Sequence, residues 1–405
     1  MNPARPFLDG TSRTLLLALA MLLCMGIPSC PDAAAESDTV RIGIYLPMTG
    51  PLSAQGQAEY AGITAAHRMK PKVLGRTVEL FPVDTGAEQT GTAGVATRLI
   101  NEQKVHAMIG EPSGGDGFAG ITAAEKARIP TVIPVSARPS ATGHARYAFH
   151  TGLTPFLEAR AAARYASSRL KAGKAAVLMN IERDYSIDLA NLFVKSVTDA
   201  GGRIVSVAYC RTSDEIFITQ LSAITAAKAD VLYLPVSSGE LARICRQSVD
   251  MGINTHIISS RNAHAPGLIS AGGEYVDGVI LTSDFEREDT PGEASILLDT
   301  YEKESGAPAG RFDVLGADAY LLLTDAMERA GSTEGPKIRQ ALAATRGFRG
   351  ISGVMDMDKE GNAIKGVVMV QIKGGRFRSL ETLTPGVETA EVKAEKEQGT
   401  LPAER

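Results

Sequence analysis

Short runs of Val, Ile and Leu alternate with longer helical patterns, and this alternation constrains the fold more than any other feature of the sequence. The runs that predict strands are residues 40–46, 77–83, 105–109, 131–133, 175–179, 204–208 and 231–234. The patterns that predict helices are residues 58–69, 91–102, 156–169, 189–200, 217–227 and 239–251. Continuously apolar strands separated by helices are typical of parallel sheets covered on both faces. The chain has more such units than one ordinary sheet holds, which predicts two doubly wound α/β domains.

The composition is that of a folded, slightly acidic protein. Hydrophobic residues make up 44% of the chain and charged residues 22%, which excludes a disordered or collagen-like protein. Lys and Arg total 42 against 46 Asp and Glu, and no basic run is present. Neutralising nucleic-acid phosphates requires clustered Lys and Arg, so nucleic acid is not an expected partner.

The N-terminus predicts export. Residues 15–27 form an apolar run of 13 residues behind a polar segment that carries Arg5 and Arg13. A membrane span needs about 20 apolar residues, so the run fits a signal peptide better than an anchor. Small residues at 33–35 predict cleavage before Glu36, which makes residues 1–35 a signal peptide and the protein periplasmic. Cys30 follows Ile-Pro-Ser and offers a second possibility, a lipoprotein anchored to the membrane.

Two cysteines, Cys210 and Cys245, remain in the mature chain. An oxidising compartment permits a disulfide between them, but we favour two buried free thiols. Residues 384–405 are charged and nearly devoid of large apolar side chains, which predicts a disordered tail.

Residues arranged for catalysis or metal binding are scarce. The six His residues show no metal-ligand spacing, and no Ser or Cys lies in a nucleophile motif. Phosphate-binding fingerprints are also missing, so the sequence implies no metal, no cofactor and no enzyme activity.

Two loops follow predicted strands at positions where open α/β sheets bind ligands. The first, residues 47–56, carries Gln55, which we take as a candidate ligand contact. The second, residues 110–117, is rich in Gly and includes Ser113, and its backbone N–H groups could bind a carboxylate. A tight turn without a ligand explains the second loop equally well.

Several segments resemble, in order, the bacterial ABC-transporter solute-binding proteins of the branched-chain amino acid (Leu/Ile/Val-binding) class. They are IGIYLPMTGPLSAQGQAEYAG, VHAMIGEPSGGDG, IPTVIPVSARPSAT, VLMNIERDYSIDL, FDVLGADAYLLLTDAMERAGS and FRGISGVMDMDKEGNAIKGVVMVQIKGGRF. Together they span about residues 40–380, nearly the whole mature chain.

The resemblance implies a type I periplasmic-binding fold, in which two doubly wound parallel-sheet lobes are joined by a three-strand hinge. It implies lobe one from residues 36–153 plus 284–345, and lobe two from 154–283 plus 346–383. The lobes would close on a ligand in the cleft between them, and the closed form would be recognised by a membrane permease.

The resemblance also implies a ligand site. In relatives that bind Leu, Ile or Val, the ligand carboxylate is held by loops that match Ser113 and Gly114 here, and then Ser136 and Ala137. The cleft Tyr of the second lobe is kept as Tyr185. A second aromatic position of the relatives is replaced by Ser237.

The position of the acidic residue that pairs with the ligand's ammonium in those relatives is occupied by Arg261. A guanidinium offers only donors, so it suits a second carboxylate and not an ammonium. This substitution predicts a small organic acid or an acidic amino acid as ligand, rather than a branched-chain amino acid. The alternatives are a shifted register, or an Arg261 that points to solvent, as most Arg residues do.

The sequence therefore predicts a solute-binding protein that delivers a small carboxylate-bearing metabolite, an amino acid or an organic acid, to an ABC permease, and that acts as a monomer. One alternative is a ligand-sensing receptor of the same fold, such as an amide or urea sensor. A nucleotide-dependent α/β enzyme is the other, and the missing phosphate-binding motifs count against it.

Overall fold

The computed structural model describes residues 39–86, 91–110, 118–135, 145–290 and 292–385. The predicted signal peptide and all but the first two residues of the predicted disordered tail lie outside these ranges. Within them, no helix combines the length and the apolar character that a membrane crossing requires.

In the described residues, the first sheet has six strands and is parallel except at one edge. In spatial order its strands are β2 (Lys72–Val73), β3 (Arg76–Asp84), β1 (Thr39–Leu46), β4 (Ala107–Gly110), β5 (Thr131–Ile133) and β6 (Ala148–His150). Only the pairing of β2 with β3 is antiparallel. Buried apolar side chains run continuously through β1 and β4, as expected for a sheet covered on both faces.

The second sheet has seven strands in the part of the chain that the structure describes, with a parallel centre and an antiparallel pair at one edge. In spatial order its strands are β16 (Phe377–Leu383), β15 (Val367–Ile372), β11 (Ile280–Ser283), β10 (His256–Ser259), β9 (Val231–Leu234), β7 (Lys174–Asn180) and β8 (Arg203–Cys210). Cys210 ends β8, and both Cys210 and Cys245 are buried free thiols, as favoured from the sequence.

A third, small antiparallel sheet joins the core of the first. Its strands are β12 (Phe348–Gly350), β13 (Gly353–Met357) and β14 (Ala363–Lys365). Met355, Met357 and Ala363 of this sheet pack in one hydrophobic cluster with Ile42 and Ile44 of β1. This hairpin region therefore packs with the first sheet and not with the second.

Eleven helices cover the sheets in the part of the chain that the structure describes. They are α1 (Ser53–Met69), α2 (Thr92–Asn101), α3 (Phe118–Ala127), α4 (Pro155–Ser168), α5 (Asp184–Asp199), α6 (Ile218–Ala226), α7 (Ser238–Asp250), α8 (Pro266–Gly272), α9 (Gly292–Ser305), α10 (Arg311–Ala330) and α11 (Gly335–Ala343). Helices α1 and α10 pack backbone to backbone beside the first sheet. A Cβ atom at Gly316 would lie 2.2 Å from the carbonyl oxygen of Glu59, so only Gly permits this approach.

Within the described residues, the chain passes between the two large sheets three times. The passages follow β6, follow β11 and fall at Gly366 between β14 and β15. Asp284 lies in the second passage. Most polar groups of the candidate site come from the carboxyl ends of β7, β9, β10 and β11.

Candidate functional site

Polar side chains gather where strands of the second sheet end. Tyr185 follows β7, Arg261 follows β10 and Asp284 follows β11. Ligands of open α/β sheets bind at the carboxyl ends of the strands. The structure brings two of the predicted site residues together there, since the Arg261 Nε donates to the Tyr185 hydroxyl at 3.2 Å.

The Arg261 guanidinium is buried and paired with two carboxylates. Its side chain is 2% exposed, so the alternative in which it points to solvent is wrong. Its Nη1 donates to the Asp284 Oδ1 at 3.0 Å, and its Nε lies 3.3 Å from the Glu158 Oε2. A buried cation is tolerated only with such partners, because burial removes its hydration.

Glu158 lies in the first turn of α4 and is fully buried. Its Oε1 accepts hydrogen bonds from the backbone N–H of Arg261 at 2.9 Å and from the Thr282 hydroxyl at 2.6 Å. Its Oε2 accepts a hydrogen bond from the Tyr185 hydroxyl. The carboxylate therefore fixes the loop after β10 and the ring of Tyr185 at the same time.

Asp284 links the passages between the sheets. Its Oδ1 accepts from the backbone N–H of Leu153, in the first passage, at 2.9 Å. Its Oδ2 lies 3.3 Å from the Nε of Arg311, at the start of α10. Burial opposes ionisation of Asp284, but the charges of Arg261, Arg311 and Lys365 outweigh it and hold the pKa of this carboxyl below its usual range.

Arg311 completes the arrangement from the side of the first sheet. Its Nη1 donates to the carbonyl oxygen of Arg261 at 3.4 Å, and its side chain is 10% exposed. We call the five residues Glu158, Tyr185, Arg261, Asp284 and Arg311 the crossover cluster. It connects a helix of the first core to three strand ends of the second sheet.

Gln55 lies in the first turn of α1, which begins earlier than the predicted residue 58. Its side-chain amide donates to the Glu59 Oε1 at 2.8 Å. Burial raises the pKa of Glu59 to about 8, against the lowering effects of the Gln55 amide and of Arg311. Burial therefore favours the protonated, uncharged form of Glu59.

Ser237 is the N-cap of α7, and it does not contact the crossover cluster through any hydrogen bond of the described residues. Its hydroxyl donates to the Glu240 Oε2 at 2.6 Å, in a capping box that stabilises the helix start. The predicted contacts Ser113, Gly114, Ser136 and Ala137 lie outside the described residues, so their role stays a prediction.

Three members of the cluster were not singled out by the sequence. Glu158 and Arg311 follow no motif that predicts a site. Asp284 had a usable signal, because it comes directly after a buried strand, at the edge where site residues collect. Among the described residues, no group of three or more His, Cys, Asp or Glu could hold a metal ion.

Comparison with known proteins gives consistent matches over most of the chain. The sequence profile of the periplasmic binding protein family matches residues 39–376. The chain is 35% identical to the leucine binding protein LivK of Thermotoga maritima, with a TM-score of 0.75 over 85% of this chain and 99% of that one. It is 23% identical to a leucine-, isoleucine-, valine-, threonine- and alanine-binding protein of Pseudomonas aeruginosa, over 87% of this chain and 94% of the relative.

A further structure shares the fold at lower identity. The solute-binding protein of an ABC transporter from Rhodopseudomonas palustris HaA2, solved with p-hydroxybenzoic acid, has a TM-score of 0.74 at 22% identity. The match covers 87% of this chain and 100% of that protein.

Two α/β sheets, three passages between them and a polar cluster at the strand ends define a two-lobed solute-binding protein. The chain belongs to the periplasmic binding protein family. The predicted fold class and the resemblance to Leu/Ile/Val-binding proteins are confirmed, and so is the general function, a solute-binding protein of the ABC-transporter type.

Proposed function

We propose that the chain captures a small carboxylate-bearing metabolite between its two lobes and delivers it to an ABC permease. The crossover cluster carries this proposal, because it lies at the carboxyl ends of strands and at the passages between the sheets, where a ligand can contact both lobes. The ligands named for the similar proteins, branched-chain amino acids and p-hydroxybenzoic acid, share a carboxylate.

In this proposal the loops with Ser113, Gly114, Ser136 and Ala137 hold the carboxylate from lobe one. The lobes are those predicted from the sequence, with one change. Because the sheet of residues 348–365 packs with the first core, we place the last passage near Gly366 instead of residue 346.

We further propose that the protein acts in the periplasm, as a monomer and without enzyme activity. The apolar run at residues 15–27 and the small residues at 33–35 support a cleaved signal peptide. Lipidation at Cys30 remains the alternative form of the same export route.

A thermal-shift screen tests the proposed function. The full chain is expressed, and the processed protein is screened with amino acids, mono- and dicarboxylates, and glucose as an uncharged solute. At 100 times its Kd, a ligand that binds only the folded protein stabilises it by about 2.7 kcal/mol, which raises the melting temperature visibly. We expect a shift with at least one carboxylate and none with glucose. A shift with uncharged solutes alone would contradict the proposal.

A further inference from the structure

We infer that the crossover cluster is electrically neutral and that the end of the ligand that reaches it carries no charge. The preferred ligand is then a monocarboxylate with an uncharged remainder, not a dicarboxylate, an acidic amino acid or another amino acid. This inference deepens the proposed function and rests on it.

The charges of the cluster balance. Two guanidinium groups, Arg261 and Arg311, face two carboxylates, Glu158 and Asp284, at separations of 3.0 to 3.3 Å. Every one of these four side chains is at most 10% exposed. These four described side chains leave no net charge to compensate a charge on a ligand.

Among the described residues, one pair of opposite charges next to the cluster also balances. The Lys365 Nζ donates to the Ser352 hydroxyl at 2.6 Å, and this hydroxyl donates to Asp318, so a buried cation faces a buried carboxyl. The charge of Arg311 also acts on Glu59, but burial raises the pKa of this carboxyl and favours its uncharged form.

Three donor atoms of Arg261 and Tyr185 already have partners inside the crossover cluster, while the Arg261 Nη2 makes no hydrogen bond with the described residues. The Nε and Nη1 of Arg261 bond to Tyr185 and Asp284, and the single hydroxyl proton of Tyr185 is given to Glu158. A second carboxylate at the Nε or Nη1 of Arg261 would have to displace Glu158 or Asp284, and the displaced anion would then be buried without a partner.

An ammonium group on the ligand would also find few free acceptors at the crossover cluster. The Glu158 Oε1 already accepts a hydrogen bond from the backbone N–H of Arg261, and the Asp284 Oδ1 accepts from the Arg261 guanidinium and from the backbone N–H of Leu153. Apart from the ion-paired atoms, the buried polar atoms without a partner at the ends of β9 and β10, within the described residues, are the hydroxyls of Tyr233 and Ser260. Such hydroxyls suit an uncharged polar group on a ligand.

Calorimetric titration of ligands matched in shape tests this inference on the processed protein. Terephthalate is compared with 4-carbamoylbenzoate, glutarate with its monoamide, and leucine with 4-methylpentanoate, which lacks the ammonium. We expect the member with a single charge to bind at least tenfold more tightly in each pair that binds. Tighter binding of the dicarboxylates or of leucine would overturn the inference but leave the proposed function intact. No binding by any of the six would overturn both.

The variant Glu158→Gln removes one negative charge from the cluster and keeps the shape of the side chain. We expect it to change the ratio of the dissociation constants of terephthalate and 4-carbamoylbenzoate by about tenfold or more, in favour of the dicarboxylate terephthalate. Glu381→Gln is the matched control, since it removes the same charge at the partly exposed partner of Arg169, and its ratio should stay that of the wild type. An unchanged ratio in a folded Glu158→Gln protein would overturn the inference. If that variant does not fold, the wild-type ratios decide.

Discussion

Replacing Asp284 with Ala is expected to lower the free energy of unfolding by about 3–5 kcal/mol, the usual cost of removing one partner of a buried ion pair. The substitution leaves Arg261 and Arg311, at 2% and 10% exposure, facing each other without the carboxylate between them. It also removes the acceptor of the Leu153 N–H, so the first two passages lose a direct connection.

Urea denaturation at pH 7 measures this loss. The control is Asp199→Ala, which breaks the exposed pair with Lys195 on α5 and should cost no more than about 0.5 kcal/mol. Similar losses for the two variants would show that Asp284 does not hold the passages together.

Replacing Glu59 with Gln is expected to change how stability depends on pH. Burial raises the pKa of Glu59 to about 8, so between pH 4.5 and 8 the folded protein binds a proton that the unfolded chain lacks. The free energy of unfolding of the wild type therefore falls as the pH rises through that window, because the stability that comes from this proton is lost. The free energy of unfolding of the variant minus that of the wild type should therefore rise by about 4 kcal/mol from pH 4.5 to 8.

The variant is compared with the wild type at each pH because two histidines change the stability in the opposite direction. Burial lowers the pKa of His150 and of His264 to about 4, so the stability that they contribute rises with pH up to about 6.5. Both histidines are present in the variant and the wild type, so their effects cancel in the difference. Denaturation series at half-unit pH steps give the profile, and the exposed substitution Glu102→Gln should leave it flat. Parallel curves of the free energy of unfolding against pH for Glu59→Gln and the wild type would show that Glu59 does not carry the additional proton in the folded protein.

The sheets could be predicted from the sequence because their strands are continuously apolar. The predicted strand 231–234 agrees with β9 at both ends. Helix starts were harder to locate. Helix α5 begins at Asp184 and not at the predicted residue 189, because its first turn is largely polar and Arg183 makes no side-chain cap. Leu189 is the first large apolar residue of this helix that is fully buried.

The site could be predicted only in part, for a different physical reason. The sequence singled out Arg261 and Tyr185, but what a guanidinium does depends on its partners. Glu158 lies 103 residues away from Arg261 along the chain, and no spacing rule connects the two. Without Glu158 and Asp284 the Arg261 side chain would suit a ligand carboxylate, and with them its charge is already neutralised.

Small-angle X-ray scattering of the processed protein, with and without a saturating carboxylate from the thermal-shift screen, tests the central claim most directly. Capture between the lobes means that the ligand stabilises the closed arrangement through contacts with both of them. We therefore expect the radius of gyration to fall when the ligand is added and to stay constant with glucose. A saturated protein with an unchanged radius of gyration would contradict capture by closure of the lobes.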